Sequence, residues 1–291
     1  MSSISNIKKR INSINTTSKI TQAMKLVATT KIQKQKNELT KINSFINDLY
    51  NLVESLTSKS SFNDAFKNRK LANKNLYIVM SSSLGLCGAF NNNVVKHAIK
   101  DITANDDIIT IGTKAYSNLK MRGYDKQIVD QFEFSTTINY LECLPLVQTI
   151  VTEFKNCKYD KVFIVYTKFV SSLTFDPVTF QLLPLDPTLF KSNSNSNTNL
   201  VDQIDDKGRI IEFEPNNVEI INSVLPFYAS SMLIACETES RLCEYSSRRN
   251  SMETASDNAK ELINNLKLEY NQARQEKITQ EINEIVAGAN K

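Results

Sequence analysis

Apolar residues recur every seven positions from the start of the chain. One track runs through Ile4, Ile11, Ser18, Lys25, Ile32, Leu39, Ile46 and Val53, and the other through Ile7, Ile14, Thr21, Ala28, Gln35, Ile42, Leu49 and Leu56. No Gly or Pro interrupts residues 1–56. A seven-residue repeat sustained this long predicts a coiled-coil helix rather than an ordinary surface helix. The polar exceptions, Ser18, Thr21, Lys25 and Gln35, are grouped. The seam is therefore expected to be weakest over residues 18–35, where something other than a partner helix is expected to touch. The end of the chain repeats the pattern: Met252, Ala255, Ala259, Leu262 and Leu266 alternate steps of three and four, Tyr270 follows Leu266 by four again, and Pro226 is the only proline and Gly288 the only glycine after Asn217. Leu262 to Ala273 is a step of eleven, which predicts a stutter that relaxes a left-handed supercoil. A helix over residues 228–286 would be on the order of 85–90 Å long.

Between these segments the period changes. Asn75–Ser83, Asp107–Gly112 and Lys161–Val170 are β-branched and aromatic runs of strand length, and they alternate with helix-like stretches such as NNNVVKHAIKDI and LPLVQTIVTEFKN. Pro145 in the latter suits a first helical turn. Alternating strand and helix signals predict an α/β domain with a mostly parallel sheet. LTFDPVTFQLLPLD reads as an added hairpin or edge element, because its prolines do not suit a central strand. KSNSNSNTNL, residues 191–200, is a polar low-complexity loop without the means to bury itself. The predicted fold is thus α/β: a long antiparallel coiled coil of N- and C-terminal helices, 1–57 and 217–291, with a Rossmann-like α/β domain, 70–215, inserted between them.

Charge sharpens the pairing. From Met1 to Ile42, Lys8, Lys9, Arg10, Lys19, Lys25, Lys31, Lys34, Lys36 and Lys41 face a single acid, Glu38, whereas acids outnumber bases after Asn217. Two helices of opposite balance attract. The five cysteines are odd in number and form no CxxC pair, so they read as reduced thiols. The sequence has no apolar run of membrane-spanning length and no secretory leader, which predicts a protein not inserted in a membrane.

Catalytic chemistry is sparse. GxxxxGK[ST], GxGxxG and HExxH are absent, and the only histidine, His97, falls in an amphipathic helix pattern as a surface or boundary residue. No catalytic, cofactor or metal residue is assigned. GLCG, Gly85–Gly88, stands after a strand and before a helix, where phosphate loops stand. Without a following Lys-Ser/Thr it reads better as a tight turn burying Cys87. The basic first helix suits nucleic-acid phosphates, an acidic protein partner or plain solvent, and residue types alone leave these open. Gln275 and Thr279 share a helix face with Arg274 beside them, a surface equally suited to pairing with neighbouring Glu residues.

TSKITQAMKLVATTKIQK, GLCGAFN and METASDNAKELINNLKLEYNQARQEKITQEINEIVAGA together resemble the γ subunits of F-type ATP synthases, over essentially the whole chain. The resemblance implies a central shaft, made by the two terminal helices, inside a ring of α and β subunits. It also implies a globule that touches ε and the membrane rotor ring, with no covalent chemistry of its own. By motif match, the residues that grip the β subunits would be Met24, Lys25, Arg248, Arg274, Gln275 and Thr279. Val286–Ala289 would turn in an apolar sleeve. The expected location is the cytoplasmic face of the cell membrane, as a peripheral subunit without cofactors. Two departures stand out. The usual Ser-Asp-Arg-Gly-Leu-Cys-Gly is here Ser82-Ser83-Leu84-Gly85-Leu86-Cys87-Gly88, and a cysteine-bearing regulatory insertion of the chloroplast kind is missing. Two alternatives remain at this point: the shaft of a rotary ATPase with no proton channel, and a basic coiled-coil protein that binds nucleic acid.

Overall fold

The computed structural model describes residues 4–58, 72–135, 138–184 and 217–289. The 191–200 loop lies outside them. The described elements are α1 (Ile4–Ser58), β1 (Leu76–Met80), α2 (Phe90–Asp101), β2 (Asp107–Ile111), α3 (Thr113–Met121), β3 (Ile128–Phe132), α4 (Tyr140–Lys155), β4 (Val162–Phe169), β5 (Phe175–Leu183) and α5 (Asn217–Ala289). The chain divides into a shaft unit (Met1–Ile32, Leu86–Gly88 and Tyr245–Lys291) and a sheet unit (Gln33–Gly85 and Ala89–Glu244).

In the sheet unit the strand order is β3-β2-β1-β4-β5. The first four strands are parallel, and β5 closes one edge antiparallel to β4. Every residue of β1 and β2 is buried, as expected of parallel strands covered on both faces. Side-chain alternation then sorts them. Tyr77, Val79 and Ile108 pack with Val94, Val95 and Ala98 of α2 and Ala115 and Leu119 of α3. Leu76, Ile78, Met80, Ile111 and Ile164 pack on the other face with Leu146, Ile150 and Phe154 of α4, Ile46 and Leu49 of α1, and Leu225–Cys236 of α5. The terminal helices therefore supply part of the sheet's own core.

Several boundaries differ from the sequence reading. β3 was not anticipated, because IVDQF is an edge strand with three exposed residues in five. Pro177 lies in β5 opposite Thr167, which places it at the sheet edge as its missing N–H requires. Pro145 is not in a first turn. α4 starts at Tyr140, with Asn139 Oδ1 accepting from Glu142 N at 3.0 Å, so Pro145 stands one turn further in. α5 begins at Asn217, where the C-terminal helix was read to begin, and runs through Pro226, with Leu225 and Tyr228 on either side buried in the sheet's core.

In the shaft unit α1 and α5 pair antiparallel. Lys25 Nζ meets Glu253 Oε1 at 2.8 Å, and six residues further along α1 Lys31 Nζ lies 5.1 Å from the Tyr245 ring, eight residues earlier on α5. The α5 seam runs Met252, Ser256, Ala259, Ile263, Leu266, Tyr270 and Ala273, all buried or half-buried in unbroken steps of four and three. This corrects the sequence reading: Leu262 is 50% exposed, the seam passes through Ser256 and Ile263, and there is no stutter. The polar positions of α1 are covered as well. Ser18 and Thr21 are buried, and Thr21 Oγ1 donates to Ser18 O at 2.9 Å, while Gln35, buried too, lies in the sheet unit. The register set by Lys25 and Glu253 brings Ser18 and Thr21 opposite the stretch containing Ser256 and Ala259. Short side chains on both helices fill the seam where it was expected to be weakest. The polarity misled because a serine or threonine can satisfy its hydroxyl on its own helix.

Candidate functional site

The six residues marked by the resemblance fall into two groups on the shaft unit. Met24 is half-buried, and Lys25 is held by Glu253, whose carboxyl is pulled below the usual range by that lysine. Arg248 is buried, at 8% exposure, with its guanidinium 5.8 Å from the centre of the Tyr245 ring. Tyr245 thus carries two cations, Lys31 and Arg248, attracted by the negative faces of its ring. Met24, Lys25 and Arg248 belong to one stretch of the coiled coil.

Arg274, Gln275 and Thr279 lie about 40 Å further along α5 at 1.5 Å per residue. All three are exposed, and the Thr279 hydroxyl donates to Gln275 O at 2.9 Å, leaving its lone pairs for an incoming donor. Gln275 and Thr279, with Gln272, Glu276, Gln280 and Asn283, form an open polar helix face rather than a cavity, and Arg274 adjoins it in sequence. From Arg274 on, no residue whose burial is described is buried or half-buried. This part of α5 has left its seam partner behind. Beside the polar face, Ile278, Ile282, Ile285 and Val286 are 46–71% exposed.

The turn from β1 to α2 was read as a tight turn burying Cys87, and Cys87 is 2% exposed. The turn holds without the usual Asp-Arg pair. Asn91 Oδ1 accepts from Ser82 N at 2.9 Å, Ser82 Oγ donates to Leu84 O at 2.6 Å, and Thr113 Oγ1 donates to Ser83 O at 2.9 Å. Leu84, one of the two replacements, points outward at 71% exposure. His97 is half-buried, with Nε2 3.2 Å from Thr179 Oγ1, as a boundary residue.

The groups best placed to titrate sit in the core of the sheet unit. Glu237 Oε1 accepts from Arg241 Nε at 2.8 Å, and Arg241 also donates to the Phe134 and Ser135 carbonyls after β3. Burial pushes the Glu237 carboxyl up to about 7 against the pull of Arg241. Burial, then the negative charge of Glu237, pushes the Cys143 thiol up to about 12, and burial raises Cys236 and Cys243 as well. These thiols are unreactive at neutral pH. Sequence reasoning missed Glu237, Arg241, Tyr245 and Ser247. The only signal available for the first pair was the Glu-x-x-x-Arg spacing, which is common on surface helices. Among the described residues, no group of three or more His, Cys, Asp or Glu is placed to hold a metal ion, and no helix is long and apolar enough to cross a membrane.

A family model described as ATP synthase matches residues 3–291. The ATP synthase gamma chain of Mycoplasmoides gallisepticum is 37% identical over 100% of both chains. That of Malacoplasma penetrans is 37% identical over 99% of both. Among solved structures, the rotor of Euglena gracilis mitochondrial ATP synthase resembles the fold with a TM-score of 0.67 at 17% identity, covering 94% of this chain and 98% of that one. The central stalk and c-ring structure from Tetrahymena thermophila gives 0.62 at 22% identity, covering 81% and 99%. Full-length kinship at this level, joined to two terminal helices paired antiparallel and an inserted sheet, establishes that the chain belongs to the ATP synthase gamma-chain family.

Proposed function

We propose that the chain is the non-catalytic rotor shaft of a proton-translocating ATP synthase, held at the cytoplasmic face of the cell membrane as a peripheral subunit. The single observation that carries this is the far end of α5: a helix with an open polar face and exposed isoleucines, and no covering element among the described residues. Such a helix needs an enclosing partner. Arg274, Gln275 and Thr279 supply charge-assisted and neutral hydrogen bonds to the β subunits at defined angles, whereas Val286–Ala289 offer only weak contacts to an apolar sleeve of α and β. Met24 and Lys25 form a second contact region, with Arg248 fixing its helix from the inside. The sheet unit provides the docking surface for ε and the membrane rotor ring. The shaft's angle and nucleotide affinity at β are then coupled free energies, each biasing the other.

Replacing Arg274 and Gln275 together by Ala tests this reading in the reconstituted complex. The expected result is a loss of about tenfold or more in coupled ATP turnover, the scale of one or two charge-assisted hydrogen bonds, with the isolated chain still folded. Unchanged turnover and rotation would remove the gripping role. A purified head that turns over ATP but is recovered without any proton channel would leave the shaft and remove the proton-coupled part.

A further inference from the structure

We propose that Glu237, Arg241 and Glu142 form a pH-operated latch within the sheet unit, which holds the chain leaving β3 and the start of α4 against α5 and loosens as pH rises toward neutrality. Arg241 occupies its middle. The Arg241 Nε donates to Glu237 Oε1 at 2.8 Å, one turn back on α5, and the two ends of its fork donate to Phe134 O and Ser135 O. Ser135 is held from its other side by α4: its N–H donates to Glu142 Oε2 at 3.2 Å and its hydroxyl to Glu142 Oε1 at 2.7 Å. Glu142 is fixed in turn by Asn139, which accepts from Glu142 N and donates from Nδ2 to Glu142 Oε1 at 3.3 Å. One line of hydrogen bonds therefore runs from α5 through Ser135 to the first turn of α4. Tyr140 and Leu141 stand exposed on that turn.

The latch turns on the carboxyl at its buried end. Glu237 is 4% exposed, and the Arg241 side chain is largely buried beside it. A guanidinium keeps its charge throughout, so the charge that changes is that of Glu237. The titratable groups around it are Arg241 and Glu244 on α5 and Cys143 on α4, whose thiol feels Glu237 and Glu142 alike. Among them only Arg241 favours the ionised carboxylate. Burial outweighs that pull, so the closed latch keeps the Glu237 proton up to about pH 7, whereas a carboxyl opened to water releases it near 4.5. Opening therefore sets a proton free, and the open fraction climbs between those two values and levels off above them. Ser135 is exposed and belongs to no strand, so the line can part there with the sheet ladder intact. Every residue of the latch lies in the sheet unit, and its action is independent of the rotor reading.

The chain carries its own probes. Cys143 is fully buried beside the latch and reports its opening, and Cys243, equally buried on α5, reports unfolding of the whole unit. In purified full-length chain, maleimide labelling resolved by mass spectrometry should find Cys143 about tenfold or more faster than Cys243 at every pH, because a local opening is less costly than a global one. Dividing the wild-type Cys143 rate by that of Glu237→Gln removes the thiol's own pH dependence. The quotient should rise about tenfold or more from about pH 5 to 7 and flatten above that. Arg241→Lys keeps the charge but not the fork, and it should speed Cys143 about fivefold even at about pH 5 while Cys243 stays slow. A quotient that stays flat across this range would overturn the pH-operated latch. Equal rates at Cys143 and Cys243 would show that the unit opens only as a whole, which also overturns it. A wild-type Cys143 rate in Arg241→Lys would remove Arg241 from the line and the latch with it.

Discussion

A single helix, α5, lives in two environments. From Tyr228 to Cys243 it is buried on nearly every side by the sheet unit, and it carries Ala229, Leu233 and Cys236 beside buried Ser230, Thr238 and Ser240. From Arg274 onward its described side chains are exposed all round. The first region is held by tertiary packing and tolerates poor helix formers, including three serines and a nearby proline. The second has only intrinsic propensity and neighbouring pairs such as Gln280 with Glu284 at 2.9 Å, and its Glu, Gln, Lys and Ile run supplies that propensity. Burial and exposure thus divide one element into a part that holds the protein together and a part offered to something else.

Substitutions can break or sharpen this contrast. The largest effect should come from Gly112→Ala in the sheet unit, where φ is +87° and a Cβ would lie 2.3 Å from Ser81 O. Strain and overlap together should cost about 2–6 kcal/mol by urea unfolding. Close behind, Leu233→Ala, at a fully buried position, should cost about 2–5 kcal/mol, while Ile282→Ala on the exposed end should stay within about 0.5 kcal/mol. Equal losses at the two positions would mean that the end of α5 is packed in the isolated chain.

A pH series probes the buried region by itself. The Glu237 carboxyl is raised from 4.5 to about 7, so the folded state holds its proton more tightly than the unfolded state does. Its stabilising contribution is fully present below about pH 4.5 and is lost as pH rises through 7, by up to about 3 kcal/mol. Glu237→Gln should lack that slope, so the stability of wild type relative to the variant should fall between pH 5 and 8. A parallel pair of curves would place the carboxylate in water. The smallest effect should come from Gly288→Ala, where a Cβ meets nothing within 4 Å. It should raise local helicity by about 1 kcal/mol or less, seen as slower amide exchange in the last turns with an unchanged global midpoint.

Much of this was legible in the sequence. The heptad tracks of α1, the absence of Gly and Pro from its first 56 residues, and the β-branched runs at Leu76, Asp107 and Val162 name long helices and a parallel sheet, because periodicity and propensity are properties of the chain itself. The terminal motifs pointed to a shaft and to the exposed group at Arg274, Gln275 and Thr279. What stayed hidden was which of two adjacent apolar positions faces inward. Ala255 and Leu262 fit alternating spacing as well as Ser256 and Ile263 do, and only the position of α1 chose the second pair. The same holds for Arg248, which reads as a surface charge in the sequence and is buried on Tyr245 in the fold. Glu237 and Arg241 read as a common surface spacing, and their desolvation comes wholly from elements distant in the chain. Sequence by itself determined the long terminal helices, the central strands β1, β2 and β4, their order and the kinship, since these depend on local period and composition, while the exposed edge strand β3 left no such signal. The tertiary structure alone decided the seam, the buried ion pair and the close approach of Gly88 to Ser247 and Ser251, since burial and close approach arise only when distant segments meet.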